Sequence, residues 1–126
     1  MRESSEYDAQ KINSIIRHIL NIKKCFALNG IIDPNNLKHD EISQAACTQF
    51  ITNIYEAKNK LGEERSNMLN ELNKINLSGA RNIASHDYDN IDFGIIYSIC
   101  KKLTASKVLS ELYAVLATLE GDGQND

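Results

Sequence analysis

Apolar residues recur at steps of three and four along most of this chain, and that spacing limits what it can fold into. Ile12, Ile15, Ile16, Ile19, Leu20, Ile22 and Phe26 set the pattern. Such residues line one side of a 3.6-residue helix, whereas a half-buried strand needs strict alternation. Ile42, Ala45, Ala46, Phe50, Ile54, Ala57 and Leu61 repeat it. Ile95, Ile96, Ile99 and Leu103, then Val108, Leu109, Leu112, Leu116 and Leu119, carry it almost to the end. One proline and six glycines leave few forced breaks.

The punctuation divides the chain into helices. The first runs from about Asp8 to Leu28 and stops at Asn29-Gly30, because glycine tolerates positive φ. A connection follows around Asp33-Pro34, since proline disfavours helix at the residue before it. The second runs from about Lys38 to Leu61, with Gly62 as its stop. Glu63 to Leu72 form a weaker piece, and Lys74 to Ser85 another helix, with Ile75, Ala80, Ile83 and Ala84 inward. Asp92 is a good N-cap for the last stretch, which Thr104 and Ser106 interrupt. The expected fold class is all-α, an up-and-down bundle of four to five helices. The expected domain is single and spans 1–126, with 1–5 and 120–126 disordered.

At 126 residues the chain can bury a real core without disulfides or metal. Aromatics are 6% and tryptophan is absent, so that core must be aliphatic. Cys25, Cys47 and Cys100 are widely spaced and form no C-x-x-C, so they read as reduced, partly buried thiols. No apolar run approaches the roughly 20 residues of a membrane span. The first five residues lack the apolar core of a signal peptide, and a cytoplasmic protein is expected. The net charge of −3 makes no global case for nucleic-acid binding. Its distribution is uneven. Residues 9–32 carry Lys11, Arg17, Lys23 and Lys24 with no acid, and residues 93–110 carry Lys101, Lys102 and Lys107 with none. These are either solvated helix faces or the walls of a groove for RNA, with Lys23, Lys24, Lys101 and Lys102 as its candidate contacts.

The densest chemistry lies between Arg81 and Tyr88. Arginine carries a permanent planar cation suited to phosphate, and histidine titrates near neutral pH. Together they are the minimum kit for metal-free phosphodiester cleavage, one group neutralising developing charge and the other moving a proton. Arg81 and His86 are five residues apart, roughly 140° around a regular helix, so they do not share a face. Asn82 and His86 do. Convergence of Arg81 with His86 requires the helix to end or distort, or a second copy of the chain. Asp87, Asp89 and Asn90 are turn formers that favour an ending. The other histidines, His18 and His39, read as structural or solvated.

Arg81, Asn82, His86 and Tyr88 together spell R-N-x-x-x-H-x-Y, which resembles the motif of the HEPN superfamily and, within it, HepT toxins of HepT/MntA-type toxin–antitoxin systems. The likeness covers roughly residues 8 to 119. Leu77-Ser78-Gly79-Ala80 resembles the family's lead-in. Ile91-Asp92 with Ile96-Tyr97 resembles its "ID…LW" segment, and Ile54-Tyr55-Glu56-Ala57 its "IGEA" helix, with Tyr55 in place of glycine. Lys74 stands where the family often has tryptophan. The resemblance implies a helical bundle, a homodimer, and the toxin of a type VII-like pair. It implies an endoribonuclease without metal or cofactor that cleaves RNA, tRNA or mRNA among the candidates, with a cognate minimal nucleotidyltransferase as antitoxin. Arg81 and His86 are then catalytic, with Asn82 supporting. Tyr88 is a target of AMP transfer. Glu56 is either a carboxylate that orients the motif or a rim residue paired with Lys60.

Other classes compete. No nucleophile elbow, glycine-rich phosphate loop, H-E-x-x-H or EF-hand loop is present. A non-catalytic partner or substrate-binding subunit of a nucleotidyltransferase is the main alternative, and a plain helical interaction module the blandest. Intact Arg81 and His86 favour the nuclease.

Overall fold

The computed structural model describes residues 2–80 and 91–125, and these are helices joined by short turns. In chain order they are α1 (Arg2–Asn29), α2 (Pro34–Lys38), α3 (Glu41–Asn59), α4 (Glu63–Asn67) and α5 (Asn70–Asn73). Residues 77–80 are helical, and α6 (Phe93–Leu103) and α7 (Ser106–Asn125) follow. The protein is an all-α helical bundle.

α1 is the central strut and packs along both α3 and α7. Its Ile12, Ile15, Ile19 and Ile22 are wholly buried and join Ile51, Ile54, Leu112 and Leu119 in one aliphatic core. Each such side chain contributes about 1.5–3 kcal/mol by leaving water. Leu20, expected on the same stripe, is largely exposed. It lies about 100° around the helix from Ile19, off the buried face.

α1 begins well before Asp8 and takes in residues 2–5, where the sequence suggested a loose end. Ser5 and Asp8 are buried there. The Asp8 carboxylate accepts the Gly62 N–H at 3.2 Å, which ties the first turns of α1 to the start of α4. At the other terminus α7 runs on to Asn125, through residues expected to be disordered.

The start of α3 buries a different face from the expected one, while Ile54 and Ala57 are buried as expected. Ile42 is 82% exposed and Ala45 is exposed, while Ser43, Gln44, Cys47 and Thr48 are buried. Hydrogen bonding decides this. Gln44 Nε2 donates to the Leu37 and Lys38 carbonyls at 2.9 and 2.8 Å, satisfying the end of α2. α2 itself occupies part of the expected connection. Asp33 and Asn36 form a capping box around Pro34, and Asp33 keeps the extended backbone that a following proline demands.

The weak helical piece after Gly62 resolves into α4 and α5. No side chain of its own caps α5. The Glu111 carboxylate of α7 does so from a distance, accepting the Glu71 N–H at 2.9 and 3.0 Å and the Leu72 N–H at 3.4 Å. Glu111→Ala is therefore expected to cost about 1–3 kcal/mol, because it strands part-buried donors. Urea unfolding checks this as a lower midpoint at unchanged slope.

Candidate functional site

Arg81, Asn82, His86 and Tyr88 lie outside the described residues, as does the turn expected after them. Both ends of that segment are on view, and both are anchored. Leu77 and Ala80 on the approach, and Ile91 on the exit, are buried in the core. Asn76 caps the helical turn at 77–80, its Oδ1 accepting the Gly79 N–H at 2.9 Å and the Ser78 hydroxyl at 3.2 Å. A Cβ on Gly79 would lie 2.5 Å from Asn76 Nδ2, so a side chain there would displace the cap. That is the physical reason for glycine in the lead-in. On the exit side the Asp92 carboxylate accepts the Gly94 and Ile95 N–H groups at 2.9 and 3.4 Å and starts α6, as its sequence position indicates.

The two ends open onto one cleft of about 520 Å³. Asn76, Gly79 and Ala80 line it from before the segment, Asp92 and Ile95 from after, and Lys102 closes it. A second cleft of about 500 Å³ shares Ser98 and Lys102 with the first and continues between α5, α6 and α7. Lys74, Lys101 and Lys107 also line it, with Glu71 as the acid. Glu71 holds Lys74 Nζ at 3.2 Å and Lys107 Nζ at 3.4 Å. Hydrogen bonding from Lys74 first, against the opposing effect of burial and with a further contribution from Lys107, keeps the Glu71 carboxyl below its ordinary range. A third, polar cavity of about 470 Å³ lies beside residues 76–78 and takes in Tyr55, Lys58 and Lys74.

Lys102 lines both of the first two clefts and Lys101 lines the second. Lys23 and Lys24 are exposed on α1 and line none of these clefts. Glu56 is exposed on α3 and lines none either, and among the described residues it makes no ion pair with Lys60. Sequence reasoning missed Lys74 and Glu71 as part of a charged cleft. Lys107 was visible in the acid-free stretch, but Lys74 registered only as a departure in packing.

The other marked residues sit elsewhere. The His18 ring lies against Phe50, 6.0 Å between centroids, and its pKa is lowered by burial first and by Arg17 second. His39 Nδ1 is 2.9 Å from the Asn35 carbonyl at the end of α2. Tyr97 stacks on Phe26 at 5.6 Å and donates its hydroxyl to the Ile32 carbonyl at 2.9 Å, so α6 is fastened to the α1–α2 turn. The three cysteines are free, and their thiols interact despite their sequence separation. A hydrogen bond with Cys100, then burial, pushes the Cys47 thiol far up, which keeps it protonated and unreactive. Among the described residues no group of three His, Cys, Asp or Glu side chains is placed to hold a metal ion. No described helix is long and apolar enough to cross a membrane.

The profile of the family described as Ribonuclease HepT-like matches residues 15–115. The chain belongs to the HepT-like ribonuclease family. The match spans most of α1, all of α2 to α6 and the R-N-x-x-x-H-x-Y run. No curated protein and no solved structure matches the chain. As a HepT-like protein it has RNA as its implied substrate. Within the matched residues Gly79 spares the Asn76 cap, Ile91 is buried, Asp92 starts α6, and Tyr97 stacks on Phe26 and hydrogen-bonds the Ile32 carbonyl.

Proposed function

We propose that this HepT-like chain is the toxin of a type VII-like toxin–antitoxin pair, an endoribonuclease that cuts RNA without a metal ion. The observation that carries this reading is the R-N-x-x-x-H-x-Y run inside the family match, with Ala80 before it and Asp92 after it lining a cleft that Lys102 also lines. In the proposed reaction the 2′-hydroxyl of one nucleotide attacks its own 3′-phosphate. A bond forms between O2′ and phosphorus, and the bond from phosphorus to the 5′-oxygen of the next nucleotide breaks. His86 moves a proton in this exchange, taking it from the 2′-hydroxyl as base or giving it to the leaving oxygen as acid. Arg81 stabilises the negative charge that builds on the phosphorane oxygens. Asn82 binds the phosphate or holds His86 in place. The products are a 2′,3′-cyclic phosphate and a 5′-hydroxyl.

The protein is proposed to work as a homodimer, since Arg81 and His86 do not share a face of one regular helix. A cognate minimal nucleotidyltransferase is the proposed antitoxin, acting through AMP transfer to Tyr88. Purified protein is expected to degrade RNA in EDTA and to scatter light as a dimer at micromolar concentration. RNA left intact by the protein argues for the non-catalytic alternative, and a monomeric mass argues against the paired cleft.

A further inference from the structure

We propose that the cleft between α5, α6 and α7 is an RNA-backbone subsite, in which Lys74, Lys101, Lys102 and Lys107 hold the phosphates of the strand as it leaves the cutting segment. The inference rests on the ribonuclease reading and adds to it the path of the substrate. Four lysines from three elements face one cavity, and Glu71 is the acid among the described residues that line it. Lys74 ends α5, Lys101 and Lys102 lie in the last turn of α6, and Lys107 lies in the first turn of α7. Separate elements of the fold therefore aim cations at one place. Among the described residues Lys101 and Lys102 have no ion-pair partner, and Lys74 and Lys107 share the single carboxylate of Glu71. That carboxylate belongs to a residue whose N–H is pinned by Glu111, so the counter-charge stays at the cleft edge.

The floor is aliphatic, made by the buried Ile75 and Val108. Among the described residues that line this cleft there is no aromatic ring and no side-chain amide, so they offer no face on which to stack a base and no amide to pair with adenine. Cations without base-reading groups suit a sugar–phosphate chain of any sequence rather than a particular nucleotide. Position supplies the direction. The cleft meets its neighbour at Ser98 and Lys102, and that neighbour is lined by Ala80, just before the cutting segment, and by Asp92, a few residues after it. A strand engaged there continues over Lys102 to the other three lysines.

The test uses full-length His86→Ala protein, so that RNA survives, with a fluorescent single-stranded oligoribonucleotide read by anisotropy across a salt series. Adding Lys101→Gln and Lys107→Gln is expected to weaken binding about ten-fold at 0.1 M salt and to flatten the salt slope by about 1.4, roughly 0.7 per lost phosphate contact. Glu71→Gln is expected to act in the opposite sense and tighten binding by roughly two- to five-fold, because it releases two lysines from their counter-charge. A residue that merely supports the fold gives no gain on substitution. Lys11→Gln, outside the clefts, should change binding less than about two-fold. An unchanged slope in the double lysine variant, or weaker binding by Glu71→Gln, overturns the subsite while leaving the ribonuclease reading intact. Lysine-dependent displacement of the RNA by micromolar ATP assigns the cleft to a free nucleotide and overturns the RNA path. If wild type neither binds nor cuts RNA, both fall together.

Discussion

His86→Ala and Arg81→Ala are each expected to lower RNA cleavage by at least about a hundred-fold, given that a positioned proton-transfer group contributes roughly 10²–10⁴ and a charge-stabilising group roughly 10²–10³. The helical circular dichroism spectrum should be unchanged, because Leu77, Ala80 and Ile91 are buried in the core at the two ends of the segment. The double variant should be scarcely worse than either single one, since groups that act on one transition state do not add. Arg81→Lys should recover only a small part of the rate, because an ammonium keeps the charge and loses the planar fork that grips two phosphate oxygens. Single-turnover cleavage of a labelled RNA measures all four proteins. Substantial cutting by His86→Ala removes the histidine from the mechanism.

Tyr88→Phe should keep most of the nuclease activity and yet escape the antitoxin. A phenol in the structural role packs a turn and hydrogen-bonds a carbonyl, and losing its hydroxyl costs little. In the modified role the hydroxyl is the acceptor of AMP. The transferred phosphate then places negative charge two residues from His86 and seven from Arg81, where it competes with RNA for the guanidinium and obstructs the cleft. Co-expression with the partner nucleotidyltransferase should therefore leave wild type silent and heavier by one or more adenylates. Tyr88→Phe should remain toxic and unshifted in mass. A partner that silences Tyr88→Phe, with no adenylate on the peptide containing residue 88, acts by simple binding.

The long helices were legible because apolar spacing is a direct consequence of the helical repeat. Ile12 to Phe26 marked the buried face of α1, and Asp92 and Thr104 marked where α6 starts and ends. The start of α3 was misread because its buried stripe is polar there. Gln44 is inside since its amide satisfies carbonyls of α2, a partnership between elements that apolar spacing does not register. The capping box at Asp33 and Asn36 was written in the sequence, but the proline drew attention to the turn instead of the short helix it begins. The early part of α1 is tied to the start of α4 by the Asp8–Gly62 hydrogen bond, a contact between distant residues.

For the site, the motif residues were legible as chemistry because Arg81, Asn82, His86 and Tyr88 are close in sequence. The cleft beside them was not. Glu71 of α5 and Lys74 at its end, Lys101 of α6 and Lys107 of α7 meet only in the fold. Conversely, Lys23 and Lys24 looked equal to Lys101 and Lys102 in sequence, since both pairs occupy acid-free stretches, yet α1 carries its pair away from the lysine cleft. Charge counting along a chain finds cationic helices, and packing decides which of them face one another.

The most direct test of the account is the chemistry of the new RNA ends. RNA cut by purified wild-type protein in excess EDTA should carry 2′,3′-cyclic phosphate on one side and 5′-hydroxyl on the other. An oligonucleotide with 2′-deoxyribose at the cut position should resist. Products ending in plain 3′-hydroxyl, or cleavage that EDTA stops, would contradict the metal-free attack by the 2′-hydroxyl.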